Sequence, residues 1–320
     1  MPLSRRQMLS ALAAGALLPA AAGAQTAAEP SLPAAATPRP PAGPPPFDIP
    51  DIPPLETEDY AEARRRFSTH LVKFGPSPEV SPPLGEVSGG KRVRYPGGPD
   101  GSIELIAWVS DQEPSAKPKP AVLFLHGGNA TGEGHWQLVR PYAEAGFIVM
   151  LPSFRGENGQ AGNYSGFYDE TSDALAAAAY LEKLPGVDSQ RLFLAGHSNG
   201  GTLSLLSAMT RHFRAAVPIS AGVSAWRYFG RYEKEIRFDA ADPRELVMRS
   251  SVCFGRSLKC PTLLLRGSEE RPFDANDQLL IERARSAGVS IDHRLLPGNH
   301  NGVVPGAVAE SIRFFRTHGA

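Results

Sequence analysis

From residue 121 onward, short blocks of consecutive apolar residues alternate with longer stretches of mixed, helix-compatible pattern. The blocks Ala121–Leu125, Phe147–Leu151, Arg191–Ala195, Ala215–Ile219, Thr262–Arg266 and Ile291–Leu296 are too short for helices. The apolar character of all but the last, which carries Asp292, His293 and Arg294, predicts strands buried on both faces. The runs between them, Thr171–Leu184, Thr202–His212 and Asp277–Ala287 among them, predict helices. Such alternation predicts a mainly parallel sheet covered by helices on both sides. Ahead of it, Lys91–Val109 reads as an antiparallel hairpin turning at Pro96–Gly101, and Glu56–Leu71 as a charged surface helix. Pro218 is expected past the last ladder bond of its strand, because proline has no N–H to give. Between residues 222 and 259 the alternation stops, which predicts a small cap-like insertion.

The amino-terminal region has a different pattern. Ser4-Arg5-Arg6-Gln7-Met8-Leu9 precedes a mildly apolar, Ala-rich core from Ser10 to Leu18, and Ala22-Gly23-Ala24 offers an A-x-A cleavage site. This arrangement predicts a twin-arginine export signal over 1–24, a periplasmic or secreted destination, and the export machinery as a partner. The apolar core is too short to span a bilayer, so no stable membrane insertion is expected after cleavage. Residues 25–54 are rich in Pro and Ala with few large apolar side chains, and predict an extended, solvated spacer. Residues 55–320 then suffice for one α/β domain.

Charge adds only an exclusion. The chain has 33 basic and 33 acidic residues, or 31 against 33 without Arg5 and Arg6, which gives no reason to expect nucleic acid as a partner. The two cysteines, Cys253 and Cys260, lie seven positions apart. An oxidising compartment permits a disulfide between them without requiring one. No metal site or cofactor is implied.

The chemistry is concentrated at the ends of the predicted strands. Leu192-Phe193-Leu194-Ala195 runs into Gly196-His197-Ser198-Asn199-Gly200, a G-x-S-x-G turn between strand and helix that exposes a serine hydroxyl. The loop after Thr262–Arg266 carries Glu269, Glu270 and Asp274, and the Gly-rich loop after Ile291–Leu296 carries His300. The order serine, acid, histidine suits nucleophilic catalysis. The imidazole takes the serine proton, and the carboxylate fixes its tautomer and stabilises its charged form. Register favours Glu270 among the three acids. His126-Gly127-Gly128-Asn129 after Ala121–Leu125 predicts oxyanion donors: the backbone N–H of Asn199 with that of Gly128 or Asn129. His126 itself reads as a structural hydrogen-bonder, and Arg155 as a brace. In the insertion, Trp226 and Tyr228 are candidates for a substrate pocket, with packing of the cap as the alternative, and its arginines could meet a substrate carboxylate.

The run H-G-G, then Ser153-Phe154-Arg155-Gly156-Glu157-Asn158-Gly159, then G-H-S-N-G-G, a C-terminal acid and Pro297-Gly298-Asn299-His300 resembles the catalytic domain of the prolyl oligopeptidase family. It is similar also to the dienelactone-hydrolase-like branch of the α/β hydrolases. The resemblance covers about Tyr95 to the C-terminus. It implies an α/β-hydrolase fold, with Ser198 as nucleophile, Glu270 in the acid position and His300 as base. The acid loop departs from the usual G-x-x-D-x-x-V-P, reading Gly267-Ser268-Glu269-Glu270-Arg271-Pro272-Phe273-Asp274. No segment has the length of the β-propeller that prolyl oligopeptidases proper carry. The expectation is therefore a serine hydrolase acting through an acyl-enzyme on a small ester or short peptide, the ester preferred. A binding protein with an unproductive triad and an acyltransferase are the alternatives.

Overall fold

The computed structural model describes residues 45–112, 117–271 and 273–320. The expected signal segment, 1–24, and the expected spacer up to residue 44 lie outside these residues. The described chain begins with irregular backbone and a helix, α1 (Tyr60–Arg66). This helix is shorter than the run expected from its charges, because Asp59 caps it and Phe67 leaves helical geometry. A hairpin of β1 (Gly90–Gly97) and β2 (Ile103–Ser110) follows, as the alternation predicted. Then come β3 (Lys119–Leu125), α2 (Glu133–Glu144), β4 (Ile148–Pro152), α3 (Tyr168–Leu181), β5 (Val187–His197), α4 (Asn199–Thr210) and β6 (Ala216–Ile219). The insertion contributes α5 (Ala225–Arg231), α6 (Pro243–Val247) and short 3-10 turns. The chain closes with β7 (Thr262–Gly267), α7 (Ala275–Ser286), β8 (Ile291–Leu296) and α8 (Val304–Thr317).

The eight strands form one sheet in the order β1-β2-β4-β3-β5-β6-β7-β8, antiparallel at β1, β2 and β4 and parallel from β4 onward. Successive side chains of a strand point to opposite faces, and the apolar runs supply both. Ala121, Leu123 and Leu125 of β3 join Leu192 and Leu194 of β5 under α3 and α4 on one face. Val122 and Phe124 join Phe193 and Ala195 under α2 and α8 on the other. Helix α4 is buried along nearly its whole length, which explains why its sequence lacks a polar face.

Two expectations change, and the open question of a disulfide is answered. Residues 47–54 are held against the domain: Phe47 packs on the core, and Arg283 donates to the carbonyls of Pro53 (2.7 Å) and Pro54 (2.9 Å). A backbone carbonyl needs no apolar side chain to dock, so composition did not signal this contact. Pro218 lies inside β6, opposite Gly196, and is tolerated because the β6–β7 pairing runs through Ala216 and Ile219 and passes it over. Cys253 and Cys260 are buried free thiols.

The insertion is tied down by buried charge. Arg249 and Glu245 form a fully buried ion pair, and the Arg249 guanidinium also donates to Ser165 O (2.8 Å), Gly166 O (2.8 Å) and Thr69 Oγ1 (2.7 Å). Removing either partner would strand a charge without water, so the pair specifies where the cap docks.

Candidate active site

The loops that leave β3, β5, β7 and β8 all emerge at the carboxyl ends of parallel strands, where open α/β sheets bind ligands. Ser198 stands between β5 and α4 with φ 54° and ψ −116°, a conformation that L-residues avoid and that a tight strand-to-helix turn imposes. The turn depends on its glycines. A Cβ on Gly196 would lie 2.3 Å from Gly200 O, and one on Gly200 would lie 2.0 Å from Leu125 O. Gly200→Ala should therefore destabilise the domain by about 3 kcal/mol or more, read as a lower urea midpoint with unchanged slope.

His300 reaches this serine from the loop after β8. Its Nε2 is 3.0 Å from Ser198 Oγ, and its Nδ1 is 2.6 Å from Glu270 Oε2. Partial burial disfavours the Glu270 charge. Hydrogen bonds from His300, Ser220 Oγ (2.5 Å) and Gly267 N–H (2.8 Å) outweigh that cost and hold its carboxyl down to about 2. An ionised carboxylate only accepts, so Nδ1 carries the hydrogen and Nε2 is left free to accept from Ser198 Oγ–H. Of the other two acids, Glu269 is exposed, and Asp274 caps α7 by accepting from Asn276 N–H (2.8 Å) and Asp277 N–H (3.1 Å). Glu270 is thus the acid that meets the imidazole.

The depressed Glu270 value has a stability consequence. Ionised Glu270 stabilises the fold fully above the ordinary carboxylate value of 4.5, and this contribution fades as pH falls toward about 2. The melting temperature of the wild type should fall more steeply across that window than that of Glu270→Gln.

His197, to which the sequence reading gave no role, supports the histidine loop. Its buried ring lies 4.8 Å from that of His300, tilted by 45°, and its Nε2–H donates to His300 O at 2.8 Å. Burial, and then the neighbouring His300, push its pKa down to about 4, so it is neutral and keeps that donor in place. Its only sequence signal was its place inside G-H-S-N-G. His126 is also buried, but both of its nitrogens face acceptors, Gly127 O (3.1 Å) and Glu157 Oε2 (3.0 Å). Burial works against its charge, yet Glu157 raises its pKa overall. It ties the β3 loop to the loop after β4. Arg155 braces that second loop through two bonds to Asp173, at 2.7 and 2.8 Å.

The segments that carry the expected oxyanion donors adjoin the serine. Asn199 is the first residue of α4, where a helix leaves its N–H without an internal acceptor. Gly128 has φ +72°, and a Cβ on the preceding Gly127 would lie 3.3 Å from the Ser198 Cβ, so the β3 loop runs against the serine. The side chains of Asn199 and Asn129 join these two segments, Asn199 Nδ2 donating to Asn129 Oδ1 and to Gly128 O, both at 3.1 Å. Asn129 Nδ2 in turn donates to Glu235 Oε2 (3.3 Å), a carboxylate of the insertion that also accepts from Tyr228 (2.8 Å) and Tyr164 (3.3 Å). Burial raises the Glu235 pKa. Tyr228 therefore stands at the wall of a cleft. Trp226 does not: it is buried in the core cluster with Phe229 and packs the insertion down.

Asn129 N–H already has an acceptor, Glu79 Oε2 at 3.1 Å, and Ser77 Oγ donates to the carbonyl of the same residue. Glu79 is exposed, so a substrate oxygen competes with it for one weak bond. Glu79→Ala should raise kcat/KM on a small ester about fivefold, the worth of roughly 1 kcal/mol; an unchanged value would show that Asn129 N–H does not serve the reaction.

Residues 135–276 match the profile described as the prolyl oligopeptidase family. That segment includes Ser198 and Glu270 and stops short of His300. Among curated proteins, the chain is 27% identical over 182 residues to "Uncharacterized peptidase YtmA" of Bacillus subtilis (strain 168), covering 50% of this chain and 66% of the relative. Among solved structures, it is similar to a Mycobacterium tuberculosis puromycin-hydrolyzing peptidase (TM-score 0.61, 20% identity, 74% of this chain and 40% of that one). It is similar also to an acylaminoacyl peptidase solved in complex with Z-Gly-Gly-Phe-chloromethyl ketone (TM-score 0.58, 17% identity, 71% of this chain and 40% of that one). The chain thus spans under two thirds of the length of these relatives. The chain has the α/β-hydrolase fold, and its segment 135–276 is similar to the prolyl oligopeptidase family.

Proposed function

We propose that the protein hydrolyses an ester or short peptide through an acyl-enzyme on Ser198. The observation that carries this reading is the unbroken path from Ser198 Oγ to His300 Nε2 and from His300 Nδ1 to Glu270, at 3.0 and 2.6 Å. Ser198 Oγ attacks the acyl carbon as its proton passes to His300 Nε2, and the imidazolium formed is stabilised by ionised Glu270. The oxygen that gains charge meets the N–H groups of Asn199 and of Gly128 or Asn129. His300 returns the proton to the leaving group, then takes one from water as water attacks the acyl-serine, and acid and free serine result.

The family segment and the peptidase neighbours support peptide-type substrates, and the open cleft suits small esters equally. Fluorophosphonate treatment followed by peptide mapping tests the reading. The adduct is expected on the peptide that bears Ser198 and should block turnover of 4-nitrophenyl butyrate and of aminoacyl-naphthylamides together. Turnover that survives complete modification of Ser198 would overturn it. Export by the twin-arginine route is part of the same proposal, supported by Arg5-Arg6 and the Ala22-Gly23-Ala24 site.

A further inference from the structure

A cleft of about 160 Å³ lies between the insertion and the loop after β7, lined by Arg227, Tyr228, Arg231, Arg271, Asp274 and Asn276 among others. Its charges do not cancel. Asp277 is engaged by Arg266 (2.7 Å) and Asp274 by Arg271 (2.6 Å), which uses both acidic groups of the lining. Arg227, which lies close enough to Asp274 to favour its charge, and Arg231 make no ion pair within 4.0 Å among the described residues. They are four apart on α5 and so project from the same side of the helix, where like charges repel. The Arg231 guanidinium rests near the Tyr232 ring (5.8 Å), another wall of the cleft. Asn276 provides a second, independent sign. It is only 3% exposed and lines the cleft, yet its carboxamide makes no hydrogen bond to the described residues.

The cleft also abuts the candidate triad. Arg271 follows Glu270 directly, and Ala221 and Gly222 of the wall follow Ser220, whose hydroxyl bonds Glu270. Tyr228 belongs both to this wall and to the Glu235–Asn129 network beside Ser198. Two guanidiniums on one side of a half-enclosed cleft, with a free amide at its buried edge, match the planar, charge-assisted recognition of a carboxylate.

We infer that this cleft is a carboxylate-binding subsite and that the enzyme prefers substrates carrying a free carboxylate near the scissile bond. The inference rests on Ser198 as the nucleophile only for its kinetic readout. Three esters separate the sources of the carboxylate: 4-nitrophenyl butyrate, which is neutral; the 4-nitrophenyl monoester of glutarate, charged on the acyl side; and 4-carboxyphenyl butyrate, charged on the leaving group. One of the two anionic esters should exceed the neutral one in kcat/KM by about tenfold at low salt. That ratio, measured within each variant, should fall to about one in the Arg227→Ala/Arg231→Ala double variant. A ratio near one in the wild type, or one that survives the double substitution, overturns the inference. Glutarate binding to Ser198→Ala protein, measured by calorimetry, is independent of chemistry. It should weaken at least fivefold when both arginines are also replaced, and equal binding would again overturn the subsite. If the wild type cleaves none of the three esters, the hydrolase reading fails and the calorimetry still decides the subsite.

Discussion

Ser198→Ala is expected to lower turnover of any ester substrate by about 10⁶-fold and to abolish fluorophosphonate labelling, while the melting temperature stays within about 3 °C of the wild type. The size follows from the geometry. No other hydroxyl is bonded to His300 Nε2 among the described residues, so nothing can take over as an activated nucleophile. Stability should be spared because the strained backbone at residue 198 is imposed by the glycine contacts around it, and alanine adopts that conformation no worse than serine. Folding is checked by thermal melting, and activity by stopped assays long enough to see the residual rate. A loss of only tenfold would mean that the hydroxyl is a bystander and that the acyl transfer occurs elsewhere.

Glu270→Gln should cost about 10⁴-fold in kcat, with KM little changed. The carboxamide can turn its NH2 toward His300 Nδ1, which would then accept. The hydrogen would be forced onto Nε2, and the imidazole could no longer take the proton of Ser198. Glu269→Gln and Asp274→Asn should stay within about threefold of wild-type kcat. The first alters a solvated side chain, and the second keeps an oxygen able to cap α7. A comparable collapse in either of those variants would displace Glu270 from the assigned role.

Much of this arrangement was legible because its physics is local. Apolar runs of five or six residues have few alternatives to a doubly covered strand, and G-x-S-x-G between strand and helix leaves the serine little choice of position. What was not legible is held by contacts between distant segments. Glu79 and Glu235 sit in stretches without a motif, and both meet Asn129 only because the chain returns to it from far away. Trp226 and Tyr228 are two residues apart on one short helix, and composition could not tell which ring turns inward. The His197 contact is a side chain reaching the backbone of residue 300, a pairing that no spacing rule encodes. Helix α8 was missed for a different reason. Its buried positions 304, 307, 308, 311, 312 and 315 carry a readable helical period, but they follow the Gly-rich histidine loop and were left unassigned.

The contact between Gly200 and the Leu125 carbonyl limits how this protein can diversify. It leaves no room for even a methyl group between the nucleophile's helix and the end of the neighbouring strand, so those two pieces must travel through evolution, or through a mutagenesis campaign, as one inherited part. New selectivity has to be written elsewhere. Libraries aimed at residues 224–235 and 268–274 explore walls that can vary, whereas substitutions at 196 or 200 sample little besides misfolded protein.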